Sequence, residues 1–434
     1  MPQLEGVVQG LSHDGRGVVR VEGKVYFVEG ALPGEKISFT RMKRQKKHEI
    51  GFLDKILQPS LDRVEPPCKY FGTCGGCVLQ HLSPTAQLKF KQQTLIENLQ
   101  RIGNVTSELV LKPVTGPVTG YRRKARLGIS YIPKKGGVMI GFREKQKPYI
   151  VSLDQCVAMD QGLSRLLPSL HELVSKLSFI QRLPQIEVTR GDESIAIIFR
   201  HLDPLVASDY KYLKEYEAEQ QVVIYLQSGG SDTVKRLSVE EIAPLFYRLP
   251  EQEISIEFEP TDFLQINGLT NQKLIQAAID QLQPTEDDSV LELFCGLGNF
   301  SLPIARRVKQ VVAVESNQDL VKRAEMNARN NGLSNMTFNV GDLYQDSIVE
   351  LAKLGKFNKL FLDPPRNGAI EVVRNLVPLI KPEKIVYVSC NPSTLARDSE
   401  ILCRVHGYTL QATGIVDMFP HTAHVESIAV FQLR

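Results

Sequence analysis

Three groups of residues in this chain have types and spacings that could do chemistry. The first is a single thiol. Cys390 ends the apolar run Lys384-Ile-Val-Tyr-Val-Ser and directly precedes Asn391-Pro392. A cysteine there can be no more than a small buried hydrophobe. As a thiolate it is a strong nucleophile. The second group is Cys68, Cys74 and Cys77, a C-x5-C-x2-C array threaded with glycines. Thiolates on so short a loop can turn toward one centre, and sulfur-only sites belong to zinc or iron–sulfur. Either needs a fourth ligand, for which Cys156 in Asp154-Gln-Cys156 is the candidate; spacing does not choose the metal. The third group comprises Glu315, Asp342 and Asp363, each closing a short apolar run downstream of the glycine loop Leu291-Glu-Leu-Phe-Cys-Gly-Leu-Gly-Asn-Phe300.

The elements around these residues read as α/β. From Ser289 onward, strands at 290–293, 310–314, 336–340, 359–362 and 384–388 alternate with helix-period segments, the rhythm of a doubly wound, Rossmann-like sheet. Cys390 and the three carboxylates then fall at the carboxyl ends of parallel strands, the edge where ligands bind in such sheets. Ser393 or Thr394 is placed to cap the helix after Cys390. Two closing strands, near 410–415 and 425–432, lack that rhythm, and Glu426 of His424-Val-Glu426 sits near the start of the second. Upstream, residues 4–57 alternate as short strands between glycine turns, as in a small barrel. Helix 84–101 places Leu88, Leu95 and Leu99 on one face, with Lys and Gln opposite. Residues 120–260 mix strands and helices in an α+β arrangement that carries Cys156. The expected domains are 1–58, 59–260 and 261–434, with the packing of helix 84–101 on the third left open.

Bulk properties agree with several domains. At 434 residues the chain is too long for one ordinary core. With 42% hydrophobic and 23% charged residues it has the composition of a globular protein, and no run is long enough to span a bilayer. The first residues lack a signal-peptide pattern. We therefore expect a cytoplasmic protein without membrane attachment, its seven cysteines serving as thiols or ligands rather than disulfides; a monomer is also expected, although no feature of the sequence bears on oligomeric state. Net charge is only +3. The basic clusters 41–48 and 121–126 point to a phosphate-rich partner.

The glycine loop followed by strand-end carboxylates resembles the S-adenosylmethionine-dependent methyltransferase fold. Leu362-Asp-Pro-Pro-Arg366 has an arginine where the amine-methylating motif carries a stacking aromatic, which turns attention to carbon methylation. Carbon 5 of uracil is not nucleophilic by itself. A thiolate added to carbon 6 makes it so, and a base must afterwards remove the carbon-5 proton. Cys390 and Glu426 suit those two roles, although Glu426 could equally be a surface carboxylate on an edge strand.

Taken together, Phe-Cys-Gly-Leu-Gly-Asn-Phe, Leu-Asp-Pro-Pro-Arg, Val-Ser-Cys-Asn-Pro-Ser-Thr-Leu-Ala-Arg-Asp and His-Val-Glu resemble the RNA uracil-5-methyltransferase family over nearly the whole chain. The N-terminal barrel resembles the TRAM domain, an RNA-binding barrel of the OB type. Barrel and cysteine array together are similar to the bacterial branch acting on 23S ribosomal RNA at uridine 1939. That resemblance implies a [4Fe-4S] cluster on Cys68, Cys74, Cys77 and Cys156, Cys390 as nucleophile and Glu426 as base. It also implies methyl-donor contacts from Gln265, Phe294, Asn299, Glu315, Asp342 and Asp363, with Phe263 and Arg126 against RNA bases. The uridine would leave its stack to reach the thiol. Alternatives are methylation of transfer RNA or another ribosomal site, a non-catalytic RNA-binding assembly factor, or a redox enzyme built on the cluster; the last lacks the C-x3-C-x2-C spacing of radical enzymes.

Overall fold

The computed structural model describes residues 3–44, 49–135, 137–238 and 244–434. Part of the basic run expected at 41–48 thus lies outside the described residues. Period-two alternation builds the first unit: Val8, Val19, Tyr26, Val28, Ile37 and Phe39 turn inward from successive strands. Gln3–Leu11 pairs with both Gly17–Val21 and Lys36–Arg44, and with Lys24–Val28 and Glu49–Gln58 this closes a five-stranded barrel.

The middle unit is a six-stranded sheet ordered Val234–Arg236, Val223–Gln227, Ile195–Arg200, Gln185–Arg190, Lys124–Ile132, Gly137–Gly141. Leu166–Lys176 and Ala207–Gln220 pack on it through Leu166, Leu167, Leu170, Leu213 and Tyr216. The loop bearing Cys74 is held beside this sheet by hydrogen bonds from Gly75 N to Arg143 O and from Lys145 N to Thr73 O, both 2.9 Å.

The third unit holds an eight-stranded sheet, ordered Met336–Val340, Gln310–Glu315, Ser289–Leu293, Lys359–Leu362, Lys384–Ser389, Glu426–Leu433, Tyr408–Val416, Leu109–Val110. Its first five strands are parallel, and all but the half-exposed edge strand Met336–Val340 are largely buried on both faces, each face covered by its own core. Chain order reverses between Ser289–Leu293 and Lys359–Leu362, which opens a crevice at the carboxyl edge. The last two long strands form an antiparallel pair, with Glu426–Leu433 inserted next to Lys384–Ser389. Leu109–Val110 adds an eighth strand, too short to show any periodicity.

Helix Pro84–Arg101 starts at Ser83, whose hydroxyl accepts from Ala86 N, and packs against helix Pro392–Glu400. Its polar face departs from expectation. Gln87 and Lys91 are buried with Leu95 and Leu99, while Leu88 is only partly so. The i, i+4 stripe 87–91–95 faces inward because residues 417–421 and the 79–82 turn offer polar partners for the Gln and Lys heads.

Candidate active site

Strand register alone brings the two key residues together. Ser389 pairs with Ser427 as the last pair of the antiparallel ladder, so Cys390 and Glu426 are the residues just beyond it, close enough that, after burial, the Glu426 carboxylate raises the Cys390 thiol. On the other side Leu362 pairs with Tyr387, so Asp363 aligns with Val388, two residues from Cys390 and on the same face. Cys390, Glu426 and Asp363 therefore share one face of the carboxyl edge.

The elbow after Cys390 is tightly made. Asn391 caps helix Pro392–Glu400 by accepting from Ser393 N, with Pro392 as its first residue. This corrects the expectation that Ser393 or Thr394 caps: Pro392, with no N–H and a preset φ, takes the first helical position, which puts the cap at Asn391, two residues before Ser393. Asn391 Nδ2 and Thr394 Oγ1 both donate to Arg366 O, at 3.0 and 3.2 Å. Buried Asp398 accepts from Tyr387 OH and Ala369 N, each 2.8 Å, and so fixes the turn after Asp-Pro-Pro-Arg. The guanidinium of Arg366 meets His424 Nδ1 at 3.4 Å.

Burial dominates the electrostatics. It pushes the Cys390 thiol up to about 11, helped by the Glu426 and Asp363 carboxylates and opposed by Arg366. Burial, and then Asp363, hold Glu426 well above the usual carboxylate range. Burial raises Asp363 to about 7. A carboxyl in that condition binds a proton strongly when ionised, which is what a general base near neutral pH requires.

Beside this group lies a cradle. Gly296 and Gly298 have φ of 54° and 92°, and a Cβ on Gly298 would meet Leu302 Cδ1 at 1.8 Å. Gly296 N donates to Glu315 Oε2 at 3.2 Å, while Glu315 Oε1 accepts from Ser316 N and Asn317 N. The Phe294 ring faces Tyr344 at 5.8 Å between centroids. Asn299 is tied to Asn271 and Tyr247 OH through its side-chain amide. Asp342 is exposed and accepts from Tyr344 N and Gln345 Nε2. Partly buried Gln265 and 74%-exposed Phe263 lie on the segment that Lys124 Nζ grips through Pro260 O and Asp262 O. Arg126, on the same strand as Lys124, is exposed and paired with Glu187 at 2.8 Å.

Sequence reasoning missed Glu292. It is fully buried, neither carboxylate oxygen has a partner among the described residues, and burial raises it to about 8. An acid inside Val-Leu-Glu-Leu, at the foot of a glycine loop, was the available signal.

Cys68, Cys74, Cys77 and Cys156 are all partly buried and line a single cavity of about 930 Å³. Cys390 and Arg366 line the same cavity. Burial raises the Cys77 thiol to about 11, with the Cys156, Cys74 and Cys68 sulfurs adding to it. Among the described residues, no three His, Cys, Asp or Glu side chains converge closely enough to hold a single metal ion.

Residues 84–433 match the model of the tRNA (uracil-5-)-methyltransferase family. The chain belongs to that family. Family members similar to it over their whole length include the 23S rRNA (uracil(1939)-C(5))-methyltransferases of Aromatoleum aromaticum and Nitrosospira multiformis. The first is 45% identical, covering 98% of this chain and 99% of the relative. The second is 44% identical, covering 98% of each. A solved family structure, the Pyrococcus abyssi tRNA (uracil-54, C5)-methyltransferase in complex with S-adenosyl-L-homocysteine, superposes with a TM-score of 0.76 at 26% identity, covering 98% of this chain and 99% of that one. The uracil-5-methyltransferase fold thus extends across the barrel and both sheets.

Proposed function

We propose that this protein transfers a methyl group from S-adenosylmethionine to carbon 5 of a uridine in 23S ribosomal RNA, at the position numbered 1939 in the names of its relatives. The observation that carries the reading is the cross-strand placement of Cys390 opposite Glu426, with Asp363 on the same face. Identity of 44–45% over whole chains to the ribosomal relatives, against 26% to the transfer RNA enzyme, favours ribosomal RNA as the substrate.

In this mechanism the Cys390 thiolate adds to carbon 6 of a flipped-out uracil, and the electron pair moves to carbon 5 and its conjugated carbonyl. When bound, S-adenosylmethionine supplies an electrophilic methyl group. Carbon 5 would take that methyl as the methyl–sulfur bond breaks and leaves a neutral thioether; Glu426 then removes the carbon-5 proton, and its electron pair re-forms the carbon 5–carbon 6 double bond as the carbon 6–sulfur bond breaks to return the thiolate. Arg366 lowers the cost of negative charge on both Cys390 and Glu426.

The residues present suit the donor. The glycine loop leaves room for close backbone approach, Glu315 can accept from ribose hydroxyls, and unpartnered Glu292 lies at the root of that loop. Phe294, Asn299, Gln265, Asp342 and Asp363 complete the proposed donor site. Phe263 and Arg126 present a ring and a guanidinium to RNA bases.

Cys68, Cys74, Cys77 and Cys156 suit a [4Fe-4S] cluster. All four thiols line one cavity, and a sulfur-only donor set suits zinc or an iron–sulfur cluster; the family resemblance is what favours the cluster. Its proposed role is to hold the 68–77 loop beside the substrate cavity, with no part in methyl transfer. The barrel is proposed as a TRAM-type RNA-binding unit, and the enzyme as a cytoplasmic monomer.

The test is transfer of tritiated methyl from the donor to 23S and transfer RNA from cells lacking the protein, followed by mapping of the labelled nucleotide. Label at uridine 1939 supports the reading. Label only in transfer RNA, or in no RNA, contradicts it.

A further inference from the structure

Helix Pro84–Arg101 is outside the sheet that carries the chemistry, yet it grips both segments that hold the catalytic pair. Toward Cys390, Asn98 Oδ1 accepts from Ser393 Oγ at 2.8 Å, in the first turn of the helix that Cys390 precedes. Just beyond the end of Pro84–Arg101, Asn104 Nδ2 donates to Glu400 Oε1 at 3.2 Å, at the far end of the helix that follows Cys390. The helix is thus fixed relative to the nucleophile.

Its other contacts reach residues 417–421, on the connection from Tyr408–Val416 to Glu426. Lys91 is fully buried and donates to Asp417 Oδ1 at 2.6 Å and to Phe419 O at 2.9 Å. One turn earlier, Gln87 Oε1 accepts from His421 N at 2.8 Å, while its Nε2 donates to Leu79 O and Leu82 O. His421 has φ of 65°, a left-handed state that a non-glycine residue keeps only where its surroundings impose it. Its carbonyl accepts from Val78 N and Leu79 N, both 2.9 Å, and Tyr121 OH donates to Pro420 O at 3.0 Å.

A buried Lys–Asp pair is a weak source of stability, because desolvating two charges offsets most of their attraction. Apolar side chains of similar volume would fill the space as well. What the pair does fix is geometry: a strong, directional tie at the start of the connection that delivers Glu426 to the sheet.

We propose that Lys91 is a positioning residue for proton removal, setting through Asp417 and Phe419 where Glu426 stands opposite Cys390. The proposal rests on the two-step chemistry described above. It requires that loss of the tie should slow release of the covalent intermediate and leave its formation intact, because thiolate addition and methyl transfer do not use Glu426.

The experiment uses the full-length protein and the variant Lys91→Met/Asp417→Leu, which removes both charges together and leaves only the Phe419 carbonyl without its donor. Single-turnover reactions with a 23S rRNA fragment and the methyl donor are resolved on denaturing gels, alongside thermal unfolding. We expect unfolding close to that of the wild type, formation of the covalent complex at the wild-type rate, an unchanged KM for the donor, and release slowed roughly 10²-fold, the size of effect that a displacement of about 1 Å produces. Wild-type release from a folded variant, or equal slowing of formation and release, overturns the proposal. If the double variant does not fold, Lys91→Arg keeps the charge paired while lengthening the arm. The same selective loss of release supports the proposal, and its absence refutes it. Should wild-type enzyme form no adduct with 5-fluorouridine RNA, the covalent reading itself fails, which is a separate outcome.

Discussion

Replacing Glu426 by Gln separates the two halves of the reaction. Glu426 is only 3% exposed and well above the ordinary carboxylate range, so its ionised form is a strong base aimed along the face it shares with Cys390. Glutamine keeps the volume and removes the proton acceptor. A positioned general base contributes about 10²–10⁴ in rate, or roughly 3–5 kcal/mol of barrier. Turnover should fall by that factor. Bond formation to carbon 6 should not fall, because the variant also removes one of the negative neighbours that hold the Cys390 thiol near 11. The thiol should ionise more easily, and the methylated covalent complex should accumulate. Rapid-quench reactions with labelled donor, split between a denaturing gel for protein–RNA complex and nucleoside analysis for free product, measure both. A variant that turns over like the wild type removes Glu426 from the mechanism. Loss of complex formation together with turnover would show that the residue organises the site rather than removing a proton.

Other outcomes follow from single positions. Gly298→Ala should weaken donor binding in calorimetry, since a side chain is strained at a φ of 92° and its Cβ would force Leu302 to shift; wild-type affinity would contradict it. Glu292 has its carboxyl raised from 4.5 to about 8, so the folded state binds a proton there more tightly than the unfolded chain, and stability declines as pH rises between those values. Glu292→Gln should flatten that decline by up to about 5 kcal/mol, seen in denaturant unfolding from pH 5 to 9; identical pH profiles would contradict it. Anaerobically purified protein should carry about four irons with broad visible absorbance, and Cys77→Ser should lose both; stoichiometric zinc without iron would overturn the cluster assignment.

Much of this was legible in the sequence because parallel strands buried on both faces leave near-continuous apolar runs. The residues that close those runs, Glu315, Asp363 and Cys390, were visible as chemistry at an edge. The partnership of Cys390 with Glu426 was only half visible. It depends on the last strand entering beside Lys384–Ser389 in a register set by long-range pairing, which local periodicity does not encode. Polarity suggests a solvent face for Gln87 and Lys91, and local sequence cannot reveal their burial because the partners that bury them lie some 330 residues away. Asn391 was passed over as a cap because two hydroxyl residues follow it, and the proline between decides the matter. Leu109–Val110, two residues long, carries no pattern at all.

The central claim is that Cys390 bonds to carbon 6 of a uracil. Fluorine at carbon 5 cannot leave as a proton does, so an RNA fragment carrying 5-fluorouridine at the target should stop the reaction after methyl transfer with the carbon 6–sulfur bond intact. Digestion and mass spectrometry of that complex, in the presence of methyl donor, should find the modified nucleotide on the peptide containing Cys390, and none with Cys390→Ala. A folded wild-type enzyme that methylates ordinary RNA yet gives no adduct, or an adduct on another residue, would contradict it.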